Sequence, residues 1–227
     1  MAARLETMAD GEPGTILSAR ALRASARALR LVTVGVGAQR SPRFAPAGLL
    51  VVAAACRLLI DGGPDSAPAG HLDAWLVCDE RSELMSAIRR TARQRGLEPR
   101  AAGFTGKGLV TECLPVVHTS HPAYGYRIRA GRWTAVWAPE FWEFPGWAAG
   151  ADLMFAEAAG WERPIRFARG VGGHMAAVEV AEAARRAGVR RLVLAHVGRP
   201  TIRAMDRGAR PPFGEFGADG REYRLDR

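Results

Sequence analysis

The segment that decides the fold of this protein is GGHMAAVEVAEAARRAGVRRLVLAHVGRP, residues Gly172–Pro200. Its small apolar residues recur at i, i+3, i+4 and i+7, which is the spacing of one helical face: Val180, Ala183, Ala184 and Ala187. Gly188 then provides a C-terminal stop. The following run, Val189–Ala195, is short and almost wholly apolar. The segment therefore predicts an amphipathic helix followed by a buried, parallel strand.

Two histidines bracket this helix–strand unit. His174 precedes the helix after two glycines, and His196 directly follows the strand. In open α/β architectures, binding and catalytic sites are built at the carboxyl ends of strands. The pattern therefore predicts that both imidazoles belong to a functional site.

The composition is that of a globular protein with a net positive charge. The 227 residues are enough for one large domain, and 48% hydrophobic with 24% charged residues is ordinary for such a domain. The formal charge is +9, and because Lys107 is the only lysine, nearly all of the positive charge is arginine. Two interpretations are open: a solvated basic surface, or a surface that contacts nucleic acid.

Cysteine usage and hydropathy bear on the compartment. The three cysteines, Cys56, Cys78 and Cys113, have neither CxxC spacing nor an even number, so neither a disulfide framework nor a zinc knuckle is expected. We therefore expect a cytoplasmic protein. No apolar run approaches the roughly 20 residues that span a bilayer, and no membrane association is expected. Residues 1–30 are predicted to be a basic N-terminal extension, either disordered or with a short helix over Ser18–Arg30, and residues 31–227 a single domain.

The domain is expected to alternate strands with two helices. LVTVGVG from Leu31 is predicted as the first strand, and a helix over Glu83–Arg95 is expected to be capped by Ser82 and stopped by Gly96. The final segment Phe213–Leu225 is predicted to be a hairpin that turns at Asp219-Gly220. Other predicted strands are Ala47–Cys56, Arg57–Asp61, Asp73–Cys78, Leu114–Val117, Gly125–Ile128, Thr134–Trp137 and Asp152–Phe155.

The order of these segments resembles the metallo-β-lactamase fold superfamily, and most closely its branch of tRNA 3′-processing nucleases and phosphodiesterases. The segments that carry the resemblance are VGVG, RLLIDGG, DAWLV, GYRI, TAVWAPE, DLMFAEA, GGHMAAVEVAEAARRAG and RLVLAHVGRP. They extend over about Leu31 to Leu225. The resemblance implies an α/β fold, a four-layer αββα sandwich with its site at one edge of two packed sheets.

The same resemblance identifies one departure. Family members carry HxHxDH after the strand that corresponds to DAWLVC, whereas these six positions read DERSEL, residues 79–84. All three histidines are missing, and Arg81 lies where a metal ligand is expected. Downstream, His118 and His196 match ligand histidines and Glu140 matches a bridging aspartate. The resemblance also matches two further residues, Glu157 and His174, to the nuclease branch's proton-transfer pair.

Carboxylates can replace imidazoles as ligands, so one divalent ion such as Zn²⁺, Mn²⁺ or Fe²⁺ could still bind. The predicted ligand set is His118, Glu140, His196, Asp79 and Glu83. The guanidinium of Arg81 disfavours a second cation and could hold a substrate phosphate instead. We therefore predict at most one metal ion, or none if the protein is not catalytic.

Each of these assignments has a purely structural alternative. His118 and His196 could be held by ordinary hydrogen bonds, and Glu157 with His174 could be a buried ion pair. His121 is expected to lie on the loop surface rather than to be a substitute ligand.

Five of the six tryptophans lie between residues 133 and 161. The segment FWEFPGW among them could form an aromatic wall beside the site or cover a sheet edge. The arginines after Glu83 could contact phosphate or be a solvated helix face: Arg89, Arg90, Arg93 and Arg95.

Three functions are compatible with this resemblance and its altered histidine motif. The first is a metal-dependent hydrolase of a phosphodiester or ester, with a small phosphorylated substrate or a nucleic acid. In it, His174 and Glu157 deliver a proton and Arg81 orients the substrate. The second is a non-catalytic relative that binds nucleotide or nucleic acid. The third is a structural subunit, for which a homodimer is one arrangement.

Overall fold

The computed structural model describes residues 28–63, 65–106, 108–167 and 172–226. Most of the predicted N-terminal extension therefore lies outside the described residues. Two β-sheets and three α-helices account for most of the regular structure in these ranges. None of these helices is long and apolar enough to span a bilayer.

The first sheet has five strands in the order β14-β1-β2-β3-β4. These are β1 (Leu29–Gly35), β2 (Gly48–Ala53), β3 (Cys56–Asp61), β4 (Ala74–Leu76) and β14 (Glu222–Leu225). The β1–β2 and β2–β3 pairs are antiparallel, as the short turns between apolar runs predicted. The first strand begins two residues before the predicted Leu31.

The second sheet has seven strands in the order β13-β12-β9-β8-β7-β6-β5. These are β5 (Phe104–Gly106), β6 (Leu109–Val116), β7 (Ala123–Ala130), β8 (Trp133–Ala138), β9 (Leu153–Ala158), β12 (Leu192–Val197) and β13 (Glu215–Phe216). A separate hairpin pairs β10 (Ile165–Arg166) with β11 (Gly173–His174). The strand predicted from the opening segment is β12, which pairs in parallel with β9 and β13 as expected.

The predicted C-terminal hairpin is wrong. β13 pairs with β12 in the second sheet, whereas β14 pairs with β1 in the first sheet. The Asp219 side chain accepts hydrogen bonds from the backbone N–H groups of Val36 and Ala45 at 2.9 and 2.8 Å. The segment therefore connects the two sheets, and the Asp219 carboxylate holds this connection in place. The Asp219-Gly220 turn signal is compatible with such a connection as well as with a hairpin.

The helices cover the outer faces of the two sheets. α1 (Met85–Arg93) lies over the first sheet, where Met85 and Ile88 join a cluster with Trp75. α2 (Ala177–Arg186) packs on β9 and β12 through the predicted alanine-rich face. α3 (Arg199–Asp206) follows β12. The predicted Ser82 cap is wrong, since no side chain caps α1, whereas Gly96 and Gly188 both have the positive φ of helix-ending glycines.

The core lies between the sheets and unites their inner faces. Leu31 and Val51 from the first sheet share one cluster with Tyr126, Trp137 and Phe155 from the second. All five side chains are essentially inaccessible to solvent, and each such burial contributes about 1.5–3 kcal/mol. With helices outside both sheets, the architecture is the expected single-domain αββα sandwich.

Candidate functional site

The strand directions bring the predicted residues to one edge of the second sheet. β6 and β8 run the same way because each is antiparallel to β7, and β9 and β12 run parallel to β8. Their carboxyl ends therefore meet at one edge, where His118, Glu140, Glu157 and His196 lie. Asp79 follows β4 and approaches the same edge from the first sheet.

These residues surround a cleft of about 510 Å³. Seven of the eight predicted site residues line it: Asp79, Arg81, Glu83, His118, Glu140, His174 and His196. The eighth, Glu157, is fully buried beneath them. The cleft therefore joins parts of the chain that are more than 100 residues apart in sequence.

Glu140 bridges the two strand-end histidines. One carboxylate oxygen lies 2.7 Å from His118 Nε2, and the other lies 3.0 Å from His196 Nε2. Both imidazoles are buried, whereas the carboxylate is half-buried and faces the cleft. A local irregularity in β12 contributes to this arrangement: the register with β9 shifts between Leu194 and Val197, and His196 has a φ of 59°.

The other ring nitrogen of each histidine is also engaged. His118 Nδ1 lies 2.8 Å from the carbonyl oxygen of Gly173, and His196 Nδ1 lies 3.3 Å from Glu157 Oε1. Since both partners are acceptors, both Nδ1 atoms carry hydrogen, and in a neutral imidazole each Nε2 would then present a lone pair. Two lone pairs facing one carboxylate require positive charge between them. The donor set therefore fits either two protons or a bound cation.

The electrostatics agree with protons in the metal-free protein. Burial alone would lower the pKa of His196, but the charge of Glu140 and the hydrogen bonds that the ring donates to both carboxylates raise it to about 10. The pKa of His118 is raised in the same way, since Glu140 outweighs its burial. Burial opposes ionisation of Glu140, yet the two imidazoles hold the pKa of this carboxyl well below its usual value.

Glu157 connects His196 to His174. Its Oε2 lies 2.8 Å from His174 Nδ1, and the same carboxylate accepts hydrogen bonds from the backbone N–H groups of Phe141 and Ala159. Burial would raise the pKa of Glu157, but the charge and hydrogen bond of His174 and the hydrogen bond of His196 hold it below its usual value. His174 thus has Nδ1 directed at a carboxylate and lines the cleft, which is the arrangement that a proton-delivering imidazole needs.

The glycine pair before His174 allows a close approach to His118. The N–H of Gly173 donates to the carbonyl oxygen of His118 at 2.8 Å, and the carbonyl of Gly173 accepts from the His118 ring. A Cβ on Gly172 would lie 1.8 Å from the His118 carbonyl oxygen, and the φ of Gly172 is 72°. Glycine is therefore needed here for two reasons, backbone conformation and space.

Residues 79–84, which stand where the family has its histidine motif, differ from one another in exposure and contacts. Arg81 and Glu83 are exposed at the cleft, while Leu84 packs against the apolar cluster beneath α1. Asp79 is largely buried, and its Oδ1 accepts the backbone N–H of Arg81 at 2.7 Å. Its Oδ2 lies 2.9 Å from His121 Nε2. The expectation that His121 is loop surface is wrong, because its side chain is only 22% exposed and lines the cleft.

Sequence reasoning also missed Asp61, at the end of β3. Its carboxylate accepts the N–H of Cys78 at 2.6 Å and the indole N–H of Trp137 at 2.7 Å, so it ties β3 and β4 of the first sheet to β8 of the second. Burial raises the pKa of Asp61 to about 6, and these hydrogen bonds offset only part of that effect. The sequence placed Asp61 at the end of a predicted strand, but it did not indicate the contact of this side chain with the second sheet.

The tryptophans do not form the wall of the cleft. Trp137 and Trp161 are buried. Among the described residues that line the cleft, the phenyl ring is that of Phe167. Its centroid lies 5.3 Å from the ring centroid of His118 and 5.2 Å from that of His174, both in edge-on contact. The interpretation that the tryptophans cover a sheet edge fits better, since the Trp147 indole donates to the Pro115 carbonyl.

In the predicted arginine patch, the Arg95 side chain donates hydrogen bonds to the carbonyls of Pro68 and Gly70. The other three side chains are exposed: Arg89, Arg90 and Arg93.

One group of three described residues could hold a metal ion as it stands. The group is Glu157, His174 and His196, whose ligand atoms lie within 4.8 Å of one another. However, both oxygens of Glu157 already accept two hydrogen bonds each, so a cation there would displace donors that the buried carboxylate uses. The Nε2 side of His196, next to Glu140, has no such competition from backbone groups.

Several solved structures share this fold. The metallo-beta-lactamase fold protein YhfI from Bacillus subtilis is 16% identical, with a TM-score of 0.67 over 86% of this chain and 99% of that one. A diphosphatase from the PhnP family is 16% identical, with a TM-score of 0.64 over 87% of this chain and 97% of that one. The short form of human tRNase Z is 15% identical, with a TM-score of 0.56 over 86% of this chain and 98% of that one. At these identities the likeness establishes the fold alone.

Sequence comparison gives the family. No curated protein sequence matches this chain. The family described as the beta-lactamase superfamily domain matches residues 57–197, from β3 through β12. This range contains all of the candidate site residues and more than half of the chain. The protein therefore belongs to the beta-lactamase superfamily, and it has the metallo-β-lactamase fold that its element order predicted.

Proposed function

We propose that this protein is a hydrolase of a phosphodiester or ester that uses at most one divalent metal ion. The observation that carries the proposal is the bridge from His118 through Glu140 to His196, with both outer Nδ1 atoms held by acceptors. Metal-binding imidazoles are oriented by this kind of second hydrogen bond. Similar structures described as a diphosphatase and a tRNase Z support a phosphate ester as the substrate class.

The proposed ligands are His118, Glu140 and His196. Asp79 and Glu83 are left out of this narrower set, because both Asp79 oxygens are hydrogen-bonded and Glu83 is exposed. When bound, such an ion supplies Lewis acidity that polarises a phosphoryl or carbonyl oxygen and acidifies water. Zn²⁺, Mn²⁺ and Fe²⁺ all accept imidazole nitrogen together with carboxylate oxygen.

The positions beside this centre support a limit of one ion. Arg81 places a fixed positive charge at the cleft, and Leu84 offers no donor atom where the family motif ends in histidine. A second cation would therefore lack ligands and experience repulsion from the guanidinium. The same guanidinium has no ion-pair partner among the described residues and could orient an anionic substrate.

His174 is the proposed proton donor to the leaving group. Glu157 holds its Nδ1 at 2.8 Å, which leaves Nε2 as the nitrogen that can exchange a proton with a substrate. The imidazole side chain is 13% exposed, so it is reachable from the cleft yet shielded from bulk water. A positioned imidazole of this kind contributes about 10²–10⁴-fold to a rate.

Metal content and hydrolysis test this proposal together. The purified protein is loaded separately with Zn²⁺, Mn²⁺ and Fe²⁺, assayed for bound metal by plasma mass spectrometry, and tested on bis(p-nitrophenyl) phosphate and p-nitrophenyl acetate. We expect no more than one equivalent of metal and hydrolysis of at least one ester. His118→Ala and His196→Ala should lose both properties, whereas the control His71→Ala, at an 81% exposed side chain outside the cleft, should keep both.

The outcomes separate the parts of the proposal. Two equivalents of bound metal would overturn the one-ion limit. Absence of both metal and hydrolysis would overturn the enzyme assignment and favour a second candidate function, a non-catalytic binder of nucleotide or nucleic acid.

One observation favours that second candidate. The exposed Arg89, Arg90 and Arg93 have no ion-pair partner among the described residues and could contact phosphates. Binding to a labelled single-stranded RNA that weakens steeply with salt, and weakens further in the Arg89→Gln/Arg90→Gln/Arg93→Gln variant, would support it.

A further inference from the structure

Besides the contacts of Glu140 and Glu157 with histidines, the cleft contains a separate carboxylate–imidazole pair, formed by Asp79 and His121. Their closest atoms, Asp79 Oδ2 and His121 Nε2, are 2.9 Å apart. The two side chains are 16% and 22% exposed, and both line the cleft that holds His174. This pair lies in the half of the site where the family's histidine motif is missing.

Backbone contacts from both sheets hold the pair in place. Asp79 follows Cys78, whose carbonyl accepts the N–H of Tyr124 at 2.9 Å, so the end of β4 is fixed to the start of β7. His121 lies just before β7, and its carbonyl accepts the hydroxyl of Thr119 at 2.8 Å. The carboxylate is fixed further, because its Oδ1 accepts the N–H of Arg81. The pair is therefore oriented by the fold and is not a chance meeting of two surface side chains.

A second His–Asp pair shows the contrast. His71 Nε2 lies 3.4 Å from Asp73 Oδ1, but the His71 side chain is 81% exposed and lies outside the cleft. The residue types are the same, and the separation, burial and location differ. This pair provides a matched control for the cleft pair.

We propose that His121 is a catalytic base of this cleft and that Asp79 is its positioning residue. The inference rests on the proposed hydrolase function and adds a residue to it. Because Asp79 accepts the Nε2 hydrogen, the neutral ring carries its lone pair on Nδ1. That nitrogen can accept a proton from the attacking water.

The resulting step is balanced. As the water oxygen forms a bond to phosphorus, its O–H bond breaks and the proton passes to His121 Nδ1. The bond from phosphorus to the leaving oxygen breaks, and that oxygen takes a proton from His174 Nε2. The products are a phosphomonoester and an alcohol. Proton exchange with solvent then restores the neutral base and the protonated acid.

The first test reads the tautomer of the full-length, metal-free protein. A long-range ¹H–¹⁵N NMR correlation spectrum assigns the protonated nitrogen of each neutral histidine. We expect His121 to carry hydrogen on Nε2, and Asp79→Asn to shift the ring toward the Nδ1–H form, because an amide can donate to Nε2. An Nδ1–H form of His121 in the wild-type protein would overturn the inference.

The second test is the steady-state kinetics of bis(p-nitrophenyl) phosphate hydrolysis with the preferred metal present. We expect His121→Gln to lower kcat by about 10²–10⁴-fold, with KM and metal content within threefold of wild type. His71→Gln should leave kcat and KM unchanged. A His121→Gln variant within threefold of wild type, or one that loses metal in proportion to activity, would overturn the role as base. If wild-type protein hydrolyses neither ester, the proposed function fails first and the inference falls with it.

Discussion

Glu157 offers the sharpest test of how the site is held together. Glu157→Gln preserves the shape of the side chain but replaces one acceptor oxygen by an NH₂ group. Each carboxylate oxygen accepts two hydrogen bonds, one from a backbone N–H and one from an imidazole. Whichever oxygen becomes nitrogen, one buried N–H of Phe141 or Ala159 and one ring N–H then face a donor.

The expected destabilisation follows from these contacts. A hydrogen bond to a charged group contributes about 1.5–3 kcal/mol, so two lost bonds correspond to roughly 3–6 kcal/mol. Removing the buried negative charge offsets part of this, since Glu157 is fully inaccessible to solvent. We therefore expect Glu157→Gln to lower the free energy of unfolding by about 3–5 kcal/mol, a large share of the roughly 5–15 kcal/mol of an ordinary domain.

Urea denaturation of the metal-free protein measures this difference. The matched control is Glu182→Gln on α2, where Arg186 lies 3.8 Å away and both side chains are exposed, so about 0.5 kcal/mol or less is expected. The pKa of Glu157 is lower than its usual 4.5, so its stabilisation is present above pH 4.5 and is lost as the pH falls through the folded-state pKa. The difference between wild type and variant should shrink on acidification. A difference below 1 kcal/mol at pH 7, or one that does not change with pH, would refute this reasoning.

Three further outcomes are expected. Asp61→Ala should lower the free energy of unfolding by about 2–4 kcal/mol in urea titrations, because the Trp137 indole N–H and a backbone N–H lose their buried acceptor; a change under 1 kcal/mol would contradict this. Gly172→Ala should lower the melting temperature and shift the His118 ring resonances, since the new Cβ would lie 1.8 Å from a carbonyl oxygen; an unchanged spectrum would show that no clash occurs. His196, whose pKa is raised from 6.5 to about 10, should stabilise the metal-free protein fully below pH 6.5 and progressively less up to pH 10; His196→Gln should reduce this alkaline decline, to which His118 also contributes, and an undiminished decline in the variant would assign it to another group.

Local sequence patterns determined much of the fold. The helical stripe of α2 and the apolar run of β12 are decided by side-chain periodicity and burial within about 20 consecutive residues, so they could be read directly. The positions of His118, Glu140 and His196 at strand ends follow from the same patterns. What the sequence by itself established is therefore the order of elements, the family, and the residues that face one edge of a sheet.

Tertiary structure decided which of those residues touch. Asp79 meets His121 across 42 residues, and His118 meets Gly173 across 55, and no local pattern encodes contacts at such separations. The C-terminal turn signal could not indicate that β13 and β14 join different sheets, because a turn signal reports a local chain reversal and not the pairing partners of the flanking strands. The bridge through Glu140 likewise requires strands that only the packed sheets align. Periodicity fixes which face of an element is buried, whereas long-range packing selects its partner, and that selection brought the carboxylates and imidazoles of this cleft together.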